Sequence, residues 1–233
     1  MCYADCGMTS DEPRDHPASK ILRIVVPLLG SDVLEVVSLL WRLTKRILSL
    51  KVHEGLYEVL DYETRLELLD TNGEKAVLHK RERVRLLQSN IIAYQDQAWG
   101  DGEIFADYKC SPGVAVDRCR EGHRVRVLIS LRTTKNRDDV EEFRIERTVR
   151  RGFTKAVEDL QIDIDHTTRR FSISVVFPRQ RFPKHVALIE RNATRSIPLT
   201  NEHQLRLPDG RQQWTWSTDK ARLFEAYILR WEW

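Results

Sequence analysis

From residue 55 to the C-terminus, the sequence is a succession of short segments in which apolar and polar residues alternate, with turn residues between them. Alternation with a period of two indicates half-buried strands, because successive side chains of a strand point to opposite faces. About ten such segments, with no clear helical pattern among them, predict an antiparallel β-sandwich or barrel. A parallel sheet with helical crossovers is disfavoured for the same reason.

Two features strengthen this prediction of an all-β domain over residues 55–233. Thr71-Asn72-Gly73-Glu74 lies between two alternating runs, and Asn-Gly in that position is the strongest short hairpin signal because both residues tolerate positive φ. The segment from Leu223 to Trp233 places Tyr227, Leu229, Trp231 and Trp233 on one face. Aromatic rings in such numbers predict that the last strand is buried in the core.

The residues before this domain divide into two parts. Residues 1–20 form a polar arm with prolines that oppose regular structure, and we expect it to be flexible. Residues 21–54 comprise an apolar segment and an amphipathic helix, which Asp32 caps and which runs over 33–50.

The apolar arc of this predicted helix is wider than one intramolecular contact normally uses. We therefore expect a protein partner or self-association on it, while packing of the helix within its own domain stays an alternative. A membrane span is disfavoured, because charged residues interrupt every apolar window, and we expect no membrane contact. The predicted partner-binding residues are Val36, Leu40, Trp41, Leu43 and Ile47.

Composition excludes several classes of protein without naming a function. The 41% of apolar residues argues against disorder, and the 31% of charged residues argues against an integral membrane protein. The net charge is only +3, so a dedicated duplex-binding protein is also disfavoured. The first 20 residues contain no visible secretory signal, which predicts a cytoplasmic protein with reduced thiols. The cysteine spacings fit no usual zinc site, so we expect neither a metal nor a cofactor.

The basic residues form two clusters that could bind an anionic small molecule, such as a nucleotide, or a nucleic acid. Alternation places the first cluster on one strand face, and the second lies in a loop beside exposed Phe and Pro residues. The simpler interpretation, which the abundance of Glu and Asp favours, is that the arginines pair with neighbouring carboxylates on a solvated face. The predicted ligand-binding residues are Arg81, Arg83 and Arg85 in the first cluster, and Arg179, Arg181 and Lys184 in the second.

No catalytic motif is present, and we assign no catalytic residue. Carboxylates near 101–107 and at Asp163 and Asp165 are the candidates for a hydrolase, although a turn and a solvated strand edge are the favoured explanations for them. The sequence therefore predicts a non-enzymatic binding or sensing module, with a hydrolase as the alternative.

Overall fold

The structure, a computed structural model, describes residues 56–233, and 65% of these residues lie in strands. The mainly β prediction is therefore confirmed. The predicted arm, apolar segment and helix lie outside the described residues. One 3₁₀ turn, Asn201–His203, precedes the twelfth of fourteen strands in this part of the chain. The strands are β1 (Tyr57–Leu68), β2 (Lys75–Leu86), β3 (Ile91–Ala98), β4 (Glu103–Ser111), β5 (Val114–Glu121), β6 (Arg124–Lys135), β7 (Val140–Arg150), β8 (Val157–Asp163), β9 (Thr168–Phe177), β10 (His185–Glu190), β11 (Arg195–Pro198), β12 (Gln204–Arg206), β13 (Gln212–Thr218) and β14 (Ala226–Glu232).

These strands form three open sheets. The large sheet has the order β12-β13-β9-β1-β2-β7-β4, the four-stranded sheet has the order β11-β10-β14-β8, and the three-stranded sheet has the order β3-β6-β5. No sheet among the described residues closes on itself, so the barrel alternative is wrong. The antiparallel prediction holds for every described pair except β1 and β9, which run parallel.

The Asn-Gly turn joins β1 to β2 as predicted. Gly73 has a φ of 71°, and a Cβ there would lie 1.7 Å from the carbonyl oxygen of Phe153, so only glycine fits. The Asp70 carboxylate accepts hydrogen bonds from the backbone N–H groups of Asn72, Glu74 and Lys75. The turn thereby sets the register in which Leu68 faces Ala76.

Both small sheets pack against one face of the large sheet, here called its inner face. In β2, Ala76 and Leu78 belong to the core shared with the four-stranded sheet, and Val84 and Leu86 belong to the core shared with the three-stranded sheet. The side chains between these two pairs also point inward, because alternation along the strand continues through them. The inner face therefore carries two apolar cores with a gap between them.

The core beneath the four-stranded sheet is closed by β14, as the aromatic pattern predicts. Tyr227 and Trp231 are each 1% exposed, and Trp233 is 6% exposed. Phe177 packs edge-on against both Trp231 and Trp233, with ring centroids 5.7 Å apart in each pair. The C-terminal strand is thus a buried part of the domain.

Several strand assignments differ from the sequence pattern. The pattern indicates no strand over β11 (Arg195–Pro198), and it indicates β8 only from Ile162, although the strand begins at Val157. Residues 56–61 and 64–70, which the pattern predicts as separate segments, form one continuous strand, β1, with a bulge between Val59 and Asp61. The bulge shifts the alternation by one residue, so that Val59 stays on the inner face with the later part of the strand. The strand β5 was not predicted, because all eight of its residues are exposed and it lacks the apolar alternation that identifies a strand.

Candidate functional site

A cleft of about 840 Å³ occupies the gap between the two apolar cores. Its floor is the inner face of the large sheet, and its walls come from the three-stranded sheet on one side and the four-stranded sheet on the other. This volume lies within the range of small-molecule sites, which typically combine apolar walls with a few convergent polar groups.

Polar side chains cross the floor of the cleft diagonally. The register pairs Tyr62 with Glu82 and places Lys80 in the next inward position of β2. On β7, Arg147 lies between Leu78 of β2 and Tyr108 of β4. These positions would ordinarily be apolar in a strand covered on that face, so their polarity marks the boundary between the two cores.

Lys80 is the centre of a buried network of charges and hydroxyl groups. Its ammonium nitrogen lies 2.8 Å from Glu82 Oε2 and 3.2 Å from Asp96 Oδ1. The hydroxyl of Tyr94 donates a 2.5 Å hydrogen bond to Glu82, and that of Tyr108 donates a 3.0 Å hydrogen bond to Asp96. The two carboxylates, which are 5% and 1% exposed, are thus each bound by both the ammonium and a phenol.

The pKa values in this network reflect burial and charge. Burial by itself would lower the pKa of Lys80, but the Coulombic pull of Glu82, Tyr62, Tyr94 and Asp96 raises it well above its ordinary value. Burial, followed by the negative charge of Glu82, raises the pKa of Tyr94 well above its ordinary value. Lys80 is therefore charged and Tyr94 neutral at physiological pH, which is the state that the observed hydrogen bonds require.

Arg147 differs from Lys80, because its guanidinium makes no ion pair and no hydrogen bond with the described residues. Its Nε is buried without a hydrogen-bond partner, and its only close ring contact is Phe105, with the centroid 5.9 Å away. Burial lowers the pKa of Arg147, against an opposing pull from Asp96. A guanidinium with unused donors in the floor of a cleft is suited to binding an acceptor group on a ligand.

Three carboxylates at the rim of the cleft are each engaged by a cation or an amide. Asp163 receives a 2.7 Å hydrogen bond from Arg124, and Asp165 receives a 2.5 Å hydrogen bond from Gln97. Asp101 pairs with Lys155. The contacts of Asp163 and Asp165 join the three-stranded sheet to the chain around β8, across the cleft mouth. Asp101, Asp163 and Asp165 therefore line the same cleft, and Asp163 and Asp165 bridge its two walls. Glu103 and Asp107 are exposed and do not line it.

The first predicted cluster lies on the outer face of the large sheet, away from the cleft. Arg81 contacts Asp61, Glu63 and Glu142 at 3.1–3.2 Å, and Arg85 contacts Glu58 at 3.0 Å. Arg83 is exposed and makes no ion pair within the part of the chain that the structure describes. The shared face was predicted correctly, and carboxylates already neutralise two of its three arginines. Ligand binding by these residues stays a prediction.

The second predicted cluster lies at the loop between β9 and β10. Arg181 donates a 2.5 Å hydrogen bond to the backbone carbonyl of Thr71 and stacks over Trp233, 3.9 Å from the ring centroid. Arg179 and Lys184 are exposed. The structure does not bring this cluster into the cleft, and its ligand-binding role stays a prediction.

The predictions about partner-binding residues, cysteines and membrane spans concern features other than the cleft. All five predicted partner-binding residues lie outside residues 56–233. Cys110 and Cys119 are free thiols, and no group of three or more His, Cys, Asp or Glu side chains in the described region could hold a metal ion. None of the described helical segments is long and apolar enough to cross a membrane.

Sequence reasoning missed Lys80, Glu82 and Arg147 as a site, although it placed β2 and β7 correctly. The available signal was a charged residue in the middle of an otherwise apolar strand face: Arg147 stands between Ile145 and Val149. Such a residue indicates either a salt bridge under a second sheet or a polar ligand site.

Comparison with known proteins gives structural similarity alone. No protein-family model and no curated protein sequence matches the chain. An M1 zinc metallopeptidase from Deinococcus radiodurans is similar over 75% of this chain and 42% of its own, with 8% identity and a TM-score of 0.43. Legionella pneumophila aminopeptidase A is similar over 75% of this chain and 21% of its own, with 14% identity and a TM-score of 0.42. The chain thus spans less than half the length of these structures, and no chemistry is transferred from them.

Proposed function

We propose that the β domain is a non-enzymatic binding or sensing module whose anionic small-molecule ligand occupies the cleft between the two small sheets. Arg147 carries this proposal, because it is a cleft-lining cation whose hydrogen-bond donors have no partner among residues 56–233. The cleft is preferred to the outer face because Arg81 and Arg85 are already neutralised by carboxylates.

The proposal is tested by thermal unfolding of the dialysed protein with a panel of small anions that includes adenosine monophosphate and monocarboxylates. At least one anion is expected to raise the melting temperature of the wild type and to lose its effect in Arg147→Gln. The matched control is Arg144→Gln, since Arg144 lies on the same strand, is exposed and pairs with Glu142 on the outer face.

Two results would contradict this location of the site. If no anion stabilises the wild type, the cleft is not an anion site. If stabilisation survives Arg147→Gln and disappears in the combined Arg81→Gln, Arg83→Gln and Arg85→Gln variant, the ligand binds the outer face as the sequence suggested.

A hydrolase is the second candidate, because Asp101, Asp163 and Asp165 line the same cleft. Each of these carboxylates is engaged by a basic or amide side chain, which makes it less available to act as a general acid or base. Catalysis would require that a bound substrate be turned over and that Asp163→Asn and Asp165→Asn abolish turnover while preserving binding. Recovery of the bound ligand unchanged after prolonged incubation favours the binding module.

The predicted helix over 33–50 remains part of the proposal as the element that docks a protein partner or a second copy of the chain. Leu40 and Ile47 are seven residues apart and share one face of an α-helix. Replacing both by Glu should shift the mass measured by light scattering towards the monomer, because buried unpaired charge is strongly unfavourable. The near-ultraviolet circular dichroism of the β domain should be unchanged; loss of that signal would mean that the helix belongs to the domain core.

We also propose a cytoplasmic location. It predicts that all four cysteines react as free thiols in denatured protein prepared without reductant. Cys110 and Cys119 form no disulfide in the structure. A stoichiometric disulfide involving Cys2 or Cys6 would contradict it.

A further inference from the structure

The two cations on the floor of the cleft differ in how much of their bonding capacity the protein uses. Lys80 has two carboxylates within 3.2 Å and the hydroxyl of Tyr94 at 3.2 Å, which together occupy the three donors of an ammonium group. Arg147 has five N–H donors in a planar fork and no hydrogen bond to the described residues. On the floor of the cleft, Arg147 therefore offers guanidinium donors that no described residue occupies.

The balance of charges around the floor of the cleft favours a ligand with one negative charge. Glu82 and Asp96 together carry two negative charges, Lys80 and Arg147 carry two positive charges, and both carboxylates are already bound to Lys80. A monoanion supplies one charge to the guanidinium of Arg147, which makes no ion pair with a described residue. A phosphate dianion would place an excess of negative charge beside the buried Glu82 and Asp96, which is costly at low dielectric.

The ligand must also cover apolar surface, because the cleft continues from Arg147 towards the core beneath the four-stranded sheet. The strand neighbours of Arg147 on that side are Leu78 and, two residues along β7, Val149. Both line the cleft, as do Ile104 and Phe153. Leu78, Val149 and Phe153 are 4–9% exposed and Ile104 is half-buried, so an apolar ligand body would mainly remove Ile104 from water and contact the accessible edges of the other three.

We propose, resting on the proposed function, that the ligand is a monocarboxylate with an apolar body. Its carboxylate takes a bidentate hydrogen bond from the guanidinium of Arg147, and its apolar body lies over Leu78, Ile104, Val149 and Phe153. The adjacent Lys80 network fixes the position of the floor, and it keeps Glu82 and Asp96 from occupying Arg147 themselves.

Isothermal titration of the full chain with octanoate, acetate, octyl phosphate and octanol, below their aggregation concentrations, tests this assignment. Octanoate should bind with one-to-one stoichiometry and at least about tenfold more tightly than acetate, because its longer chain buries more apolar surface. Arg147→Gln should weaken octanoate by about tenfold or more, since both hydrogen bonds of the fork are lost. Ile104→Asn should weaken octanoate while leaving acetate nearly unchanged.

Two further variants separate a loss of binding from a loss of structure. Arg147→Lys keeps the charge but not the planar fork, so it should bind octanoate more weakly than the wild type and more tightly than Arg147→Gln. Arg144→Gln, on the outer face of the same strand, should bind octanoate as the wild type does. Equal effects of the two glutamine substitutions would overturn the assignment of the head group to Arg147.

The four probes also separate this inference from the proposed function. Tight binding of octyl phosphate, dependent on Arg147 and without octanoate binding, would overturn the carboxylate class and leave an anion site in the cleft. Octanol binding as tight as octanoate would show that the cleft recognises only the apolar body, and would overturn both. The absence of binding by all four probes would overturn the monocarboxylate assignment, while the wider anion panel decides the proposed function.

Discussion

The inner and outer faces of the large sheet carry the same kinds of charged residue in different surroundings. Lys80 and Arg81 are neighbours in β2 and point to opposite faces. The side chain of Lys80 is 12% exposed and contacts two nearly inaccessible carboxylates, whereas that of Arg81 is 36% exposed and contacts three solvated ones. These adjacent residues therefore belong to different sets of ion pairs. Lys80 belongs to the buried network of the inner face, and Arg81 belongs to the exposed ion pairs of the outer face.

The difference in exposure predicts different contributions of the two faces to the free energy of unfolding. Exposed ion pairs typically contribute about 0–1 kcal/mol, because water screens them and long side chains lose entropy in forming them. A buried ion pair has lost its hydration, so removing one partner leaves an uncompensated charge at a cost of about 3–5 kcal/mol. We therefore expect substitutions in the exposed ion pairs of the outer face to change the free energy of unfolding little, and substitutions in the buried network of the inner face to lower it strongly.

The largest expected effect is that of Lys80→Met. It leaves Glu82 and Asp96 close together without the ammonium that binds both, and should lower the free energy of unfolding by about 3–5 kcal/mol. The matched control is Arg81→Met, one residue away on the outer face, which should cost about 1 kcal/mol or less. Urea unfolding followed by tryptophan fluorescence measures both, and equal losses would remove the energetic distinction between the faces.

The buried groups of the inner face should make the free energy of unfolding depend on pH in the alkaline range. Burial raises the pKa of Tyr94 and of Tyr57 above the ordinary 10.0, and the pull of Glu82 raises that of Lys80 above 10.5 despite desolvation. Above about pH 10 the unfolded chain loses these protons while the folded chain keeps them, so unfolding is favoured. Each group then lowers the free energy of unfolding by up to about 1.4 kcal/mol per pH unit.

The variant Tyr94→Phe should make the free energy of unfolding fall less steeply with pH in the alkaline range, since it removes one of the groups whose pKa is raised. Urea unfolding between about pH 8 and pH 11 measures the slope. A free energy of unfolding that stays constant across this range in the wild type would contradict the assigned pKa directions.

The smallest expected effect is that of replacing Arg81, Arg83 and Arg85 together by Gln. Surface changes of this kind usually cost about 0.5 kcal/mol each, so the protein should remain folded. If the outer face binds a polyanion or nucleotide, binding should weaken, and the effect should diminish at high salt. Unfolding of the triple variant would show that the three arginines are needed for the fold. Unchanged polyanion binding by a folded triple variant would contradict an anion site on this face.

Particular residues show how far sequence reasoning could reach. The Asn72-Gly73 turn, the shared face of Arg81, Arg83 and Arg85, and the buried aromatic strand β14 were all predicted from local patterns. The strand β5 was missed because it is exposed throughout, and the parallel pairing of β1 with β9 was missed because no local pattern encodes a partner about one hundred residues away. The cleft was missed because Lys80, Glu82 and Arg147 were judged strand by strand.

The sequence by itself determined which side chains share a face in the regular strands, such as Arg81, Arg83 and Arg85 in β2, because alternation is a local property of the extended backbone. It did not determine where a bulge shifts the alternation, as between Val59 and Asp61 in β1. Only the tertiary structure decided what covers each face. Lys80 meets Asp96 across sixteen residues of sequence, and Arg81 meets Glu142 across sixty-one. The two small sheets meet the large one where Lys80, Glu82 and Arg147 face inward, and this packing turns three inward-facing charges into the floor of a cleft. Burial, ion pairing and pKa there depend on distances between segments, which no single strand encodes.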